Sequence, residues 1–190
     1  KIGVIRNGEY QQLNTNKLQI ENEYYSPVRP KRVARSGERP TAALRRGGIE
    51  YVEIRSLDLS VSDPAGINQN TMRFIEAFLI YCLLEESPPF DAGSFEEAVQ
   101  NQSLTAKRGR EPGLKLARDG KPVDLSGWAR EIVDKVAAVA ELIDRHEDDN
   151  SYADAVSVAA SHVAEPESTP SARLLQELRD SKSSFFEFAL

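Results

Sequence analysis

The spacing of hydrophobic and polar positions changes period after residue 66. Before it, apolar residues alternate in short runs; after it, they recur every three or four residues. In residues 47–58 two glycines are followed by a strand pattern that ends at Asp58. Ile49, Tyr51, Glu53, Arg55 and Leu57 fall on one face, and Glu50, Val52, Ile54 and Ser56 on the other. Residues 17–25 read as a second strand, with Leu18, Ile20, Asn22 and Tyr24 on one face and Gln19, Glu21, Glu23 and Tyr25 on the other. Residues 2–13 predict a hairpin turning at Asn7-Gly8, a dipeptide that accepts the positive φ angles of a tight turn.

Pro27 and Pro30 predict an irregular loop over residues 26–37. Pro40 and Gly47 bracket a short helix, about residues 40–46. Ser60 to Gly66, containing Asp63-Pro64-Ala65-Gly66, is a turn and the expected boundary between a sheet part, 1–65, and a helical part, 66–190. In the helical part, residues 68–86 predict a helix whose second half, residues 78–84, is apolar on all sides and therefore buried. Ser94 is the expected cap of a helix reaching about residue 106, and residues 109–114 form a loop. Trp128, Ile132, Val136, Val139 and Ile143 mark the packing stripe of a helix over 125–146. Tyr152, Val156, Ala159 and Val163 repeat the pattern in the next helix. Leu174, Leu175 and Leu178 are expected to turn inward in the one after that.

Charge sharpens this picture locally. The chain's 190 residues carry a net charge of −6, which gives no general attraction for nucleic acid or anionic lipid. Residues 29–46 nevertheless hold Arg29, Lys31, Arg32, Arg35, Arg39, Arg45 and Arg46 against Glu38 alone, a possible grip for anions. The single cysteine, Cys82, excludes an internal disulfide, and its apolar helical setting predicts a buried, inert thiol suited to a reducing cytoplasm. No run is long and apolar enough to span a bilayer. The chain starts at Lys1 in strand-like sequence and ends in a partly apolar tail, so a fragment of a longer protein is expected.

Chemistry concentrates on the polar strand faces. Glu53 and Arg55, two apart on one strand, stand side by side; a solvated ion pair is the bland expectation for them. If the strand of Glu21, Glu23 and Tyr25 shares their sheet, three carboxylates and a guanidinium converge. Magnesium takes one or two carboxylates together with phosphate oxygens, and arginine donates a planar fork to phosphate, so such a face suits phosphoryl transfer. The competing class is a polyanion- or RNA-binding module built on residues 29–46. That segment lacks the interleaved aromatics that base stacking needs.

The runs L18-Q19-I20-E21-N22-E23-Y24-Y25-S26-P27-V28-R29-P30-K31-R32 and R46-G47-G48-I49-E50-Y51-V52-E53-I54-R55-S56-L57-D58 resemble the proteobacterial-type glutamate–cysteine ligases. Gly109 to Leu114 and Ser171 to Leu175 resemble that family in the same order. The resemblance implies an α+β protein: the C-terminal part of an antiparallel, glutamine-synthetase-like catalytic sheet, then a mostly helical supporting region. It implies an ATP-dependent ligase that needs Mg2+ and joins glutamate to cysteine through gamma-glutamyl phosphate, in the first step of glutathione synthesis. By the same likeness Glu53 is a magnesium ligand, Arg55 a catalytic and substrate-binding contact to phosphate, and Tyr25 part of the cysteine pocket. Glu21 and Glu23 are additional candidates. The family's chains are longer and carry most of their ligands upstream, so this chain alone is expected to be inactive. Its expected partners are small molecules and the missing N-terminal part, without nucleic acid or membrane.

Overall fold

The structure is a computed structural model and describes residues 5–10 and 25–189. They fall into two compact units that divide between Leu59 and Ser60. In element order the chain is α+β, with antiparallel strand pairs preceding and interrupting a mainly helical succession.

In the first unit, β1 (Ile5–Arg6) and β2 (Glu9–Tyr10) form the expected hairpin. Asn7 at φ 54° and Gly8 at φ 81° make its turn, two consecutive positive angles that this dipeptide tolerates. The predicted strand over 17–25 lies outside the described residues except for Tyr25, which is in no strand.

The loop expected over 26–37 is corrected in part: Val28–Lys31 is a strand, β3, antiparallel to β4 (Tyr51–Ile54). Pro30 stands opposite Val52. A proline is tolerated at a sheet edge, where its missing donor costs no ladder bond, and among the described residues β3 has only β4 beside it. Helix α1 (Pro40–Gly47) lies between them in sequence. It begins at a proline and ends where Gly48, at φ 73°, turns the chain into β4.

A network of charge closes the segment before α1. Glu38 accepts from Nε and one terminal nitrogen of Arg46 at 2.9 and 3.0 Å and from the backbone N–H of Arg35 at 2.9 Å. The Arg46 bond, then the Arg35 N–H, hold its carboxyl down at about 2, against an ordinary value of 4.5. Because the folded value is the lower one, this carboxylate contributes fully above pH 4.5, and its contribution is lost as pH falls toward 2. An NMR titration of the Glu38 carboxyl carbon is expected to find its midpoint near 2. In Arg46→Ala the midpoint should return most of the way to 4.5.

In the second unit the helical periodicities close a core. Helix α2 (Gln69–Leu84), α4 (Leu125–Glu147) and α5 (Ser151–Ala164) meet around Ala77, Val133, Val136, Val139, Ala140 and Val156. Val136 is fully buried, which contributes about 1.5–3 kcal/mol. Asn68 caps α2 and Asp124 caps α4, each accepting a first-turn N–H at 2.8 Å. Asp144, near the end of α4, is buried yet satisfied. Its two carboxylate oxygens accept the N–H groups of Tyr152 at 3.0 Å and Ala153 at 2.8 Å in the first turn of α5.

Several expectations for this unit are overturned. Leu83 and Leu84 are exposed, because among the described residues α4 and α5 cover only the side of α2 that carries Phe74, Ala77, Phe78 and Tyr81. Cys82 is exposed as well. Desolvation and the charge of Glu85 still push its thiol up, so it is a poor nucleophile despite its exposure. Leu175 is exposed on α6 (Pro170–Ser181), whose buried residue is Ala172. The cap of α3 (Ala92–Arg108) is Asp91, which accepts both the N–H and the hydroxyl of Ser94.

Helix α3 itself buries no residue and attaches through polar groups. Residues 115–124, where the pattern predicted no element, form a hairpin of β5 (Lys115–Arg118) and β6 (Lys121–Asp124). Glu97 of α3 accepts the turn N–H groups of Asp119 and Gly120 at 3.0 and 2.8 Å. Asn101 bonds the N–H and C=O of Ala117 at 2.9 and 2.6 Å. A short 3-10 turn, Pro166–Ser168, precedes α6, and a four-residue helix α7 (Phe185–Phe188), closed by a Ser184–Glu187 capping box, follows it.

Candidate functional site

The charged face of the β3–β4 pair follows directly from alternation and register. Antiparallel pairing sets Arg29 opposite Glu53 and Lys31 opposite Tyr51. Glu53 and Arg55 project from β4 and the residue after it onto one side, as their spacing requires. One guanidinium nitrogen of Arg55 donates to both carboxylate oxygens of Glu53, at 3.0 and 3.2 Å. The ammonium of Lys31 approaches the same carboxylate at 3.7 Å. The guanidinium carbon of Arg55 also lies 5.9 Å from the centre of the Tyr25 ring, within cation–π range. Tyr25, Glu53 and Arg55 are therefore brought together. Glu21 and Glu23 lie outside the described residues.

The electrostatics favour an ionised carboxylate. The hydrogen bond from Arg55 is the first cause holding Glu53 below the usual carboxylate range. Desolvation opposes it, and the charges of Arg55, Lys31 and Arg29 each add a smaller lowering effect. One acid thus stands among three cations, a face with positive charge to spare for an anion. The sequence marks Lys31 and Arg29 as part of an anion-gripping segment but not as members of this face, because their share in it depends on strand register, and the loop expected over 26–37 concealed it.

A hard cation takes one or two carboxylates together with phosphate or water oxygens, and Glu53 can supply one such ligand. Among the described residues no group of three or more His, Cys, Asp or Glu side chains comes together to hold a metal. Part of the basic segment is already paired. Arg46 is held by Glu38, Arg32 by the Gly47 and Gly48 carbonyls and Glu50, and Lys31 by Glu53. Among the described residues no helix is long and apolar enough to cross a membrane.

An α+β chain whose strand pair presents an acid among several cations is the class of protein defined so far. The chain belongs to the glutamate–cysteine ligase family, whose model matches residues 1–105. It is 45% identical over 190 residues to the glutamate–cysteine ligase of Pseudomonas entomophila and 49% identical over 189 residues to that of Azotobacter vinelandii. Each match covers 100% of this chain and 36% of the relative, so the chain spans about a third of the length of these curated relatives. The crystal structure of the Francisella tularensis glutamate–cysteine ligase in complex with AMP is similar to 90% of this chain and 34% of its own, with a TM-score of 0.79 and 38% identity. No comparison supports the polyanion-binding alternative.

Proposed function

We propose that this chain is the C-terminal portion of an ATP-dependent ligase that joins the gamma-carboxylate of glutamate to the amine of cysteine through gamma-glutamyl phosphate, the first step of glutathione synthesis. The observation that carries this reading is the Glu53–Arg55 pair held on one strand face beside Tyr25, in a chain of this family. In this reading residues 1–65 supply part of the catalytic sheet and residues 66–190 a helical supporting region. Glutamate, cysteine and ATP are the small-molecule partners, the missing N-terminal part completes the site, and the enzyme works in the cytoplasm.

Arg55 donates its remaining guanidinium N–H groups to the phosphoryl oxygens and holds them where negative charge develops. Glu53, kept ionised by its cationic neighbours, offers an oxygen ligand to Mg2+. When bound, the metal supplies charge neutralisation between phosphate oxygens. Lys31 and Arg29 keep the face positive toward the nucleotide. Tyr25 shields one side of the Arg55 guanidinium and forms part of the cysteine pocket. The bound AMP of the Francisella relative supports a nucleotide in a protein of this shape.

The test is phosphate release by the full-length enzyme, with glutamate and cysteine added separately and together. Release that needs both amino acids is expected, and the isolated 190-residue chain should release none. Phosphate release indifferent to cysteine would remove the reading.

A further inference from the structure

The β3–β4 ladder is only four residue pairs long. A ladder this short is weakly specified. A slip of one residue would turn Lys31 and Arg29 to the face opposite Glu53 and Arg55. Something must fix the register.

Arg32 ties the end of β3 to the entry of β4 through its side chain, as does its partner Glu50. Arg32 immediately follows Lys31. Its Nε donates to the Gly48 carbonyl at 2.7 Å, one terminal nitrogen donates to the Gly47 carbonyl, and the other reaches the Glu50 carboxylate at 3.4 Å. Glu50 reciprocates by accepting the Val33 N–H at 3.2 Å, while its own N–H donates to the Lys31 carbonyl at 2.9 Å. The guanidinium lies so close over Gly47 that a Cβ there would sit 2.6 Å from its central carbon. Gly47 is thus the floor of the Arg32 seat.

We infer that Arg32 is a positioning residue for the Glu53–Arg55 pair: by clasping the end of α1 and the Glu50 carboxylate it pins the β3–β4 register, and Gly47 is glycine to leave room for it. The inference rests on the ligase reading above.

The deciding variant is Gly47→Ala in the full-length enzyme. Gly47 has no positive φ, and alanine favours a helix by about 1 kcal/mol, so on backbone grounds the change is neutral or stabilising. The added methyl nevertheless expels the Arg32 guanidinium. Gly47→Ala and Arg32→Ala are each expected to lower kcat by about 10–100-fold, the scale of a 1 Å misplacement, with the KM for cysteine little changed. The double variant should be no slower than Arg32→Ala alone. Hydrogen exchange at the Val33, Glu50 and Arg55 amides should quicken about tenfold or more in all three, the scale of an interaction worth 1.4 kcal/mol. Arg32→Lys, which keeps the charge but not the fork, should stay impaired. Wild-type kcat in Gly47→Ala, additive losses in the double variant, or unaltered amide exchange would each overturn the inference. If Arg55→Ala is inactive while Gly47→Ala and Arg32→Ala are normal, only the positioning role fails. If Arg55→Ala itself keeps full turnover, the ligase site assignment fails with it.

Discussion

Replacing Arg55 by alanine in the full-length enzyme is expected to lower kcat by about 10²–10³, the scale on which removing one preorganised donor acts. The reason is the geometry of its partners. Its guanidinium already spends one nitrogen on Glu53 and rests against Tyr25, so it is oriented before substrate arrives. A lysine at this position keeps charge but loses the planar fork, and should recover little of the rate. Glu53→Gln is expected to act differently. The amide keeps the shape but gives up the charge, so the concentration of Mg2+ needed for half-maximal rate should rise as turnover falls. Steady-state kinetics over a magnesium series separate the two. Unchanged kinetics in both variants would take these residues out of the reaction.

The second large effect concerns folding. Val136 is wholly enclosed by α2, α4 and α5. Val136→Asp places an unpaired carboxylate among Ala77, Val133, Val139 and Val156. A cost above about 4 kcal/mol is expected, a large part of a typical domain's 5–15 kcal/mol. The helical unit should then melt, seen as lost helical circular dichroism and rapid proteolysis within residues 69–164. Leu142→Asp, on the same helix but exposed, should leave both signals near wild type.

What could be read from the sequence was whatever depends on near neighbours. Asn7-Gly8 announced its turn because two positive φ angles select those residues. The stripe from Ile132 to Ile143 announced α4 because a core-facing helix must repeat its apolar positions. Glu53 and Arg55 share a face because strand side chains alternate. Features that depend on distant neighbours were not legible. Pro30 argued against a strand, and only an edge position makes it tolerable. Leu83, Leu84 and Cys82 look as apolar as the residues before them, and which side α4 covers is not written in α2. Lys31 and Arg29 joined the charged face through register alone. The hairpin at Asp119-Gly120 did carry a signal, an Asp-Gly pair between Leu116 and Val123, which the strong helical patterns on either side outweighed.

One buried carboxylate has a reach beyond its own helix. Asp144 belongs to the last turns of α4, yet it serves as the acceptor for the opening amides of α5. Fraying of the first helix from its C-terminal end would uncap the second at the same moment. The α4–α5 hairpin should therefore open and close as one cooperative piece, with amide protection at Tyr152 and Ala153 tracking that of Asp144's own turn rather than that of the rest of α5.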